Sequence, residues 1–509
     1  MPKKRKGKKK QSPTKKPSKR SPTRLAFSPG LESIVNESDP LVSRVAKLQD
    51  EVRFTVAPST VSGERIQAQR GRLHTRSLDD FRPRSASVDD AVARLTALGF
   101  RILRVGRFGI SAAGPARLVM ETLKLELAVQ SRPIPVSLRA THDFARSFAA
   151  PGPADLFIAP TESLTIAQPS EPAIDDIVFI PPPIFFAPPS PTAPTHTFHS
   201  VDAARIRKLL NVPSASGGSG VKVAIVDAGF FRHPYYSANG FDYKPTPTQL
   251  APNPENDADG HGTAIAYNLF ATAPKVSLLG FQHSDPPQDA IEQAAEAGVD
   301  VISCSWGWDN EQTFPILEAS IRSVVAEGKT TLFAAGNGQL AWPGSMPEVI
   351  SIGGVYWNPA QTLEASNFAS GFASNQYPGR KVPDVSGLCG ERPQAIYIMM
   401  PCKPSCRMEM ELAGSDFPNH DQTKADDGWV GASGTSSATP QVAGVVALLI
   451  EKARAKGRTL LPADVKRILQ ETGKAIEKGH NAQGAPAIGR PNLAVGYGLV
   501  DAQAALAML

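Results

Sequence analysis

The sequence is poor in cysteine and has no long apolar run. Its 509 residues contain four cysteines, which excludes a scaffold held together by disulfides. The longest apolar helix that the pattern allows is far too short to span a bilayer. The basic start of the chain lacks the following apolar stretch that a secretory signal peptide needs. We therefore expect a soluble, intracellular (cytoplasmic) protein with no signal peptide and no membrane span.

The basic charge of the chain is confined to its first residues. Lys and Arg number 54 and Asp and Glu 48, but residues 1–24 hold twelve of the basic residues and no acid. Residues 1–48 are therefore predicted to form a disordered basic tail. Residues 1–24 could contact a polyanion such as nucleic acid or an anionic membrane, act as a nuclear-import-like signal, or simply add solubility. A basic run does not decide between these alternatives.

Two zones of different character follow the tail. Residues 49–130 have the order strand, helix, strand, strand, helix, strand, which predicts a small α+β domain of the split βαβ type. A long polar stretch between 58 and 86 fits this domain poorly. Residues 131–198 are dense in proline, so we expect an extended linker there. Its apolar part, 177–187, is expected to lie against a neighbouring surface.

Residues 199–509 alternate apolar, β-branched strands with helices. Such alternation predicts a doubly wound α/β domain, with a mostly parallel sheet and helices on both faces. We expect strands at 221–226, 275–279, 299–303, 331–334 and 349–353, and helices at 261–271, 287–297, 315–327, 437–455 and 462–470.

Four polar residues stand beside glycines where these strands end or these helices begin. Asp227 and Asn337 each follow a strand, whereas His261 and Ser436 each lie at the start of a helix. Singly, each has an ordinary explanation as a turn or cap residue. Together they predict a nucleophilic relay, because an imidazole can take the proton of a hydroxyl while a carboxylate orients the ring. An Asn amide and a helix N-terminal N–H could stabilise an oxyanion.

With these motifs, residues 199–509 resemble a subtilisin-type serine peptidase. The family's chain order of Asp, His, Asn and Ser is kept. The motifs that carry the resemblance are Val-Ala-Ile-Val-Asp-Ala-Gly at 223–229, Asp-Gly-His-Gly-Thr at 259–263, Ala-Ala-Gly-Asn at 334–337 and Gly-Thr-Ser-Ser-Ala-Thr-Pro-Gln-Val-Ala-Gly at 434–444.

The resemblance implies a serine endopeptidase that hydrolyses peptide bonds in protein substrates through an acyl-enzyme. Ser436 would be the nucleophile, His261 the general base and acid, and Asp227 the orienting carboxylate. Asn337 and the Ser436 backbone N–H would bind the oxyanion. Ser437 stays open as a rival nucleophile, although the Gly-Thr-Ser register favours Ser436.

The resemblance also implies substrate contacts. Ala341 stands where the family commonly has glycine at the pocket floor, so an added methyl should shorten the pocket and favour medium-sized apolar side chains. One segment would pair with the substrate backbone and another would wall the pocket. These are Ser305, Trp306 and Gly307 for the backbone and Ala334, Ala335 and Gly336 for the wall.

No cofactor is expected, although the long region between residues 384 and 436 holds residues that could bind a metal. A zinc site would need a fourth ligand such as His420, and the cysteine spacing matches no zinc template. Structural calcium bound by acidic side chains stays open. The region contains Cys389, Cys402 and Cys406, and the acids Asp416, Asp421, Asp426 and Asp427.

The resemblance gives residues 49–130 a role as well. Many family members carry an N-terminal propeptide with the same order of elements, which assists folding and covers the active site until it is cleaved. We therefore expect residues 49–130 to be an intramolecular inhibitor, with self-cleavage within 131–198. For residues 49–130, the alternative is an unrelated recognition domain. For the whole protein, two alternatives remain: an inactive subtilisin-fold binding or regulatory protein, or a nucleic-acid-tethered factor that uses the basic tail.

Overall fold

The computed structural model describes residues 26–27, 51–133, 154–161, 163–167, 173–180, 199–283, 286–423 and 427–509. The predicted basic tail lies outside the described residues apart from the first of these ranges. Within the described part, no helix is both long and apolar enough to cross a membrane.

The N-terminal part of the chain forms an antiparallel sheet with two helices and a second, smaller sheet. The main sheet has the strand order β3-β4-β2-β8-β7, and the second has the order β1-β5-β6. The elements are β1 (Ala26–Phe27), β2 (Val52–Pro58), α1 (Ser85–Ala97), β3 (Arg101–Val105), β4 (Ile110–Gly114), α2 (Ala116–Leu123), β5 (Leu127–Pro133), β6 (Ala154–Pro160), β7 (Thr165–Ala167) and β8 (Ile174–Val178).

The fourth strand of this domain differs from the prediction. The predicted order of strand, helix, strand, strand and helix is present, but the strand that follows, β5, leaves the main sheet and pairs with β6. Strand β8 takes the place beside β2, antiparallel, with Thr55 opposite Val178. The domain therefore draws on residues 131–198, which the sequence predicted to be linker. Proline excludes a strand only where it stands, and residues 173–180 contain none.

The polar stretch between 58 and 86 also has a structural explanation. It forms three short 3-10 turns, at Ile66–Gln69, Leu73–Thr75 and Leu78–Phe81. The apolar side chains of these turns are buried in a cluster shared with the C-terminal domain. The stretch is therefore a contact surface for the C-terminal domain. The sequence of the N-terminal domain alone could not predict this contact.

The C-terminal domain is built on an eight-stranded sheet with the order β10-β11-β9-β12-β13-β14-β15 and with β18 also paired to β14. All of these pairings are parallel except that of β14 with β15. The elements are α3 (Ala203–Leu209), β9 (Lys222–Asp227), α4 (Pro234–Ala238), β10 (Asp242–Thr246), α5 (His261–Thr272), β11 (Ser277–Gln282), α6 (Gln288–Glu296), β12 (Val301–Cys304), α7 (Pro315–Ala326), β13 (Thr330–Ala334), β14 (Ile350–Trp357), β15 (Leu363–Ala365), β16 (Phe372–Ala373), β17 (Lys381–Val382), β18 (Val385–Leu388), β19 (Met399–Pro401), α8 (Arg407–Leu412), β20 (Trp429–Gly431), α9 (Thr435–Ala455), α10 (Pro462–Thr472) and α11 (Ala502–Ala507).

Alternating side chains of β9 bury both faces of the sheet. Val223 and Ile225 belong to the core that contains α5 and α9, whereas Ala224 and Val226 belong to the core that contains α6 and α7. Side chains of successive strand residues point to opposite faces, so a strand buried on both sides reads as a continuous apolar run. The doubly wound α/β class predicted for this domain is thereby confirmed, as is the small α+β domain that precedes it.

Candidate active site

The end of β9 and the start of α5 bring a carboxylate and an imidazole together. Asp227 is the last residue of β9 and His261 is the first residue of α5. Asp227 Oδ1 lies 2.8 Å from His261 Nδ1 and accepts the backbone N–H of Ala228 at 2.7 Å. A side chain at Gly262 would bring its Cβ within 2.2 Å of the Gly229 carbonyl oxygen. Glycine at that position therefore allows the helix to approach the strand.

Carboxylates around His261 favour its charged form. Burial by itself lowers the pKa of the imidazole, but Asp227 and, to a smaller degree, Asp259 and Asp257 outweigh it, so the pKa of His261 is raised. Such a ring accepts a proton readily and holds it beside a carboxylate. This is the behaviour that a general base requires during acyl transfer.

Asp257 anchors the start of α5 and was not identified from the sequence. Its buried carboxylate accepts the backbone N–H of Gly260 at 2.9 Å and that of Thr263 at 3.0 Å. Burial raises the pKa of Asp257 to about 6 in spite of these hydrogen bonds. An acid four residues before a predicted helix histidine is a weak sequence signal, because only the folded loop turns its carboxylate back onto the helix.

Asn337 and the start of α9 form the second half of the site. The side-chain Oδ1 of Asn337 accepts the Thr435 backbone N–H at 2.9 Å and lies 3.0 Å from the Thr435 hydroxyl. A Cβ at Gly434 would lie 2.6 Å from Asn337 Nδ2. The amide oxygen therefore faces Thr435, and the amide group as a whole lies against the Gly434 backbone that leads to Ser436.

Ser436 is tied to the predicted substrate segment. Its hydroxyl donates to the Ser305 carbonyl at 3.2 Å, and the Ser305 hydroxyl donates to the Ser436 carbonyl at 3.0 Å. Cys304, which precedes Ser305, pairs with Val226, which precedes Asp227. The serine segment and the Asp–His pair therefore meet at the carboxyl ends of adjacent parallel strands.

The neighbouring serine faces away from this edge. Ser437 is almost fully buried, and its hydroxyl lies 3.8 Å from the sulfur of Met400. A hydroxyl packed against a thioether in the core has no route to a substrate. Of the two serines, Ser436 is therefore the one that is hydrogen-bonded to the predicted substrate segment.

The predicted substrate segments lie side by side. Trp308, just beyond Gly307, exchanges backbone hydrogen bonds of 2.7 and 2.9 Å with Trp342, the residue after Ala341. The indole N–H of Trp306 donates to the Val226 carbonyl at 2.7 Å, so its side chain belongs to the core and only its backbone can face a substrate.

The predicted pocket wall follows β13 directly. Ala334 ends that strand, and both Ala334 and Ala335 are buried. Gly336 has φ of +110°, and a Cβ there would lie 3.2 Å from the Ala341 Cβ. The structure thus brings the wall and the residue predicted for the pocket floor together.

The metal-binding side chains group differently from the expectation. In the described ranges, the one group of at least three candidate ligands is Cys402, Cys406 and Glu409. His420, which the sequence analysis considered as a fourth zinc ligand, is not part of it. Asp421, one of the acids considered for calcium, instead accepts the Gly431 backbone N–H at 2.6 Å. Asp426 lies outside the described residues.

Comparison with known proteins finds similarity to serine proteases. The sequence model of the Subtilase family matches residues 218–498. Serine protease AprX of Bacillus subtilis (strain 168) is 25% identical over 333 residues, 58% of this chain and 70% of that protein. An intracellular serine protease of Paenibacillus polymyxa is 27% identical over 266 residues, 47% and 69% respectively. A solved lanthipeptide protease has 20% identity and a TM-score of 0.44 over 60% of this chain and 93% of its own.

Proposed function

This chain belongs to the subtilase family, and we propose that it cleaves proteins through an acyl-enzyme intermediate formed on Ser436. It is a subtilisin-like serine endopeptidase.

The proposed reaction has two halves that use the same groups. The Ser436 hydroxyl attacks the scissile carbonyl carbon while His261 Nε2 takes its proton. His261 then gives that proton to the leaving amine, and the acyl-enzyme remains. In the second half, His261 takes a proton from water and the resulting hydroxide attacks the ester carbonyl. The ester bond to Ser436 then breaks, His261 returns the proton to the Ser436 oxygen, and the carboxylic acid product leaves. The Asn337 amide and the Ser436 backbone N–H stabilise the oxyanion in both halves.

The contact between His261 and Asp227 carries this proposal. At 2.8 Å and buried, it commits Nδ1 of the ring to the carboxylate. The other ring nitrogen, Nε2, is then the one that exchanges protons with Ser436 and with the substrate. The raised pKa of His261 supports the same role.

Labelling with a fluorophosphonate tests the assignment, because this probe reacts only with an activated serine. We expect intact mass to detect one adduct on the wild-type chain, none on Ser436→Ala and one on Ser437→Ala. Ser437→Ala is the matched control, since it removes the adjacent hydroxyl. An adduct on Ser436→Ala would overturn the assignment of the nucleophile.

The proposed inhibitor domain packs on two helices of the protease domain. Residues of β2, β8 and the β3–β4 turn share one buried cluster with α6 and α7. Polar contacts surround it: Gln288 Nε2 donates to Thr55 Oγ1 at 3.2 Å, and Arg104 bridges Glu292 and Glu296 at 3.4 and 2.5 Å. The apolar members are Ala57, Ile66, Leu73, Phe81, Phe108, Val178 and Ile180 on one side and Ala290, Ile291, Ala294, Ile316, Leu317 and Ile321 on the other.

This contact supports a self-processed zymogen. Ile180, the last residue described before the protease domain, belongs to the same buried cluster as Trp306 and Trp342 of the substrate segments. The N-terminal domain and the substrate segments therefore contribute to one continuous buried core. We infer that the processing site lies within residues 131–198.

Processing can be tested on the full chain. We expect the wild-type protein to lose mass from its N-terminus on incubation, and Ser436→Ala to stay intact. If wild type stays full-length while it labels fully with the fluorophosphonate, the N-terminal domain is not an inhibitor. Mixing trace wild type with excess Ser436→Ala would separate cleavage within one chain from cleavage between chains.

The pocket floor leads to a proposal on specificity. Because Ala341 lies beside Gly336, we propose that the pocket accepts medium-sized apolar side chains before the scissile bond. A peptide library should show cleavage after such residues, and Ala341→Gly should extend cleavage to larger ones. Efficient cleavage by wild type after Arg or Lys would contradict the proposal.

An intracellular location is also proposed. All four cysteines are described as free thiols, as is usual in a reducing compartment. One similar protein carries the name intracellular serine protease. Cell fractionation with an antibody would test this. Polyanion contact through residues 1–24 stays a prediction, to be tested by salt-dependent retention on nucleic acid with and without those residues.

A further inference from the structure

A buried cluster of metal-binding side chains lies directly behind the start of α5. Cys402, Cys406 and Glu409 place two sulfur atoms and a carboxylate oxygen within 4.8 Å of one another. All three residues are at most 2% exposed. A Cβ on Gly260 would come within 2.2 Å of Cys406 Sγ. The cluster therefore lies against the glycine that precedes His261.

Backbone hydrogen bonds hold the three side chains in place. Cys402 follows β19, and a turn closed by the Cys406 N–H and the Lys403 carbonyl at 3.1 Å brings the second cysteine back beside it. Glu409 lies in the first turn of α8, where its carboxylate accepts the backbone N–H groups of Ser405 and Gly428. These bonds and one from the Trp429 backbone N–H orient the carboxylate, and they leave it one further lone pair.

The surroundings of the two thiols are acidic. Glu409 places a carboxylate oxygen within 4.8 Å of both sulfur atoms. A bound divalent cation compensates the negative charge of one carboxylate and two thiolates, and so stabilises their deprotonated forms.

We propose that Cys402, Cys406 and Glu409 bind one structural zinc ion. Two thiolates and one carboxylate form a soft, mixed ligand set that suits zinc and is unsuited to calcium or magnesium. The three ligand atoms lie within 4.8 Å of one another. A zinc ion, with bonds of about 2.3 Å to sulfur and about 2.0–2.2 Å to oxygen, would draw them closer together into a tetrahedral arrangement. The fourth position is left to water.

Such an ion would brace the loop that positions His261. The N–H groups of Arg407 and Met408 each donate at 3.0 Å to a carbonyl of the 258–259 backbone, and Arg407 pairs with Asp259 at 2.6 Å. The segment that carries the cluster is therefore already joined to the loop before α5. Zinc would fix that segment, and its loss would loosen the start of α5.

The test is the metal content of the full-length, untagged chain with Ser436→Ala, which removes the proposed self-cleavage. Purified from zinc-supplemented cells and dialysed, it should contain about one zinc per chain by mass spectrometry of the metal. Cys402→Ser and Cys406→Ser should reduce this content at least tenfold. Cys389→Ser is the matched control, because it changes a buried cysteine outside the cluster, and it should keep the metal.

Cobalt provides a readout that does not depend on the cysteine variants folding. Zinc-depleted protein titrated with Co²⁺ should develop sulfur-to-cobalt charge-transfer absorption, of an intensity that indicates two thiolates per ion. Added zinc should abolish it and should raise the unfolding temperature. A chain with four titratable thiols after denaturation that binds neither metal would overturn the proposal. So would an intact mass lower by two hydrogens, since it would indicate a disulfide instead.

Discussion

The pKa values of buried carboxylates shift in opposite directions inside the protease domain and at its contact with the N-terminal domain. Asp384 lies in the protease domain between Arg380, 2.5 Å away, and Lys466, 3.1 Å away. Burial alone would raise its pKa, but these cations hold the pKa below its usual value. At the domain contact, by contrast, burial raises the pKa of Asp289 and that of Glu318 to about 7.

This difference in pKa separates contacts within one domain from contacts that exist only while the two domains are docked. The partners of Asp384 belong to the same domain, so its charge is compensated whenever that domain is folded. Asp289 is covered by Ser111 and Arg104 of the N-terminal domain, and Glu318 lies beside the backbone of His74. We expect both side chains to become more exposed to water when that domain leaves. The ionised forms of these two side chains therefore weaken docking without weakening the fold of the protease itself.

The largest effect on stability is expected when a buried ion pair within the protease domain is broken. Asp384→Ala leaves Arg380 and Lys466 buried without their carboxylate, and should lower the free energy of unfolding by about 3–5 kcal/mol. Denaturant titration of the Ser436→Ala chain measures it. Glu471→Ala, which breaks an exposed helical pair with Arg467, should cost less than about 0.5 kcal/mol. Equal losses of unfolding free energy for the two variants would show that the buried ion pair stabilises the domain no more than the exposed one.

Docking should weaken as the pH rises. The docked pKa values of Asp289 and Glu318 are about 7 and exceed the usual values of 3.8 and 4.5, so the docked state binds protons that the separated state has released. Docking is then strongest below about pH 4 and is progressively lost up to about pH 7. Between these limits, the dissociation constant should rise by up to about tenfold per pH unit for each group.

This pH dependence can be measured after a single cut. An exogenous protease site placed within residues 181–198 of the Ser436→Ala chain converts docking into an equilibrium between two fragments. Their dissociation constant is then followed by size exclusion or fluorescence from pH 5 to 8. Asp289→Asn and Glu318→Gln should each flatten the curve and tighten docking at pH 8. A wild-type curve that is flat, or that tightens with pH, would contradict the comparison.

A smaller effect is expected from the polar rim of the same contact. Arg104→Ala leaves Glu292 buried without its cation, so docking should weaken by about 1–3 kcal/mol in the same fragment assay. Arg117→Ala removes an exposed pair with Glu121 within α2 and serves as the control. If both variants dock like wild type, the arginine contacts are peripheral to the interface.

Much of the protease fold could be predicted because its strands are apolar on both faces. The strands predicted at 221–226 and 331–334 lie within one residue of β9 and β13. Strand β10 was missed. Its residues, Asp242–Thr246, include a proline and no apolar run, which is tolerated because β10 is the edge strand of the sheet. An edge strand is defined by its neighbour, and that neighbour is remote in sequence.

Less of the surroundings of the site could be predicted than of its central residues. Asp227, His261, Asn337 and Ser436 stand in motifs whose glycines are visible in the sequence. The bond from Thr435 to Asn337 and the pair formed by Ser305 and Ser436 join segments about 100 residues apart or more. Such contacts depend on how loops pack against one another at the edge of the sheet. A pattern in a few consecutive residues does not predict this packing.

The amino-acid sequence by itself determined the class of the protease domain, its family and the residue types available for acyl transfer. These features follow from local periodicity and from short motifs, each contained in a few consecutive residues. Only the tertiary structure decided that β8 completes the N-terminal sheet, that Asp289 and Glu318 are buried between domains, and that Cys402, Cys406 and Glu409 converge behind His261. Burial and convergence are relations between distant segments, so their energies exist only once the chain has folded.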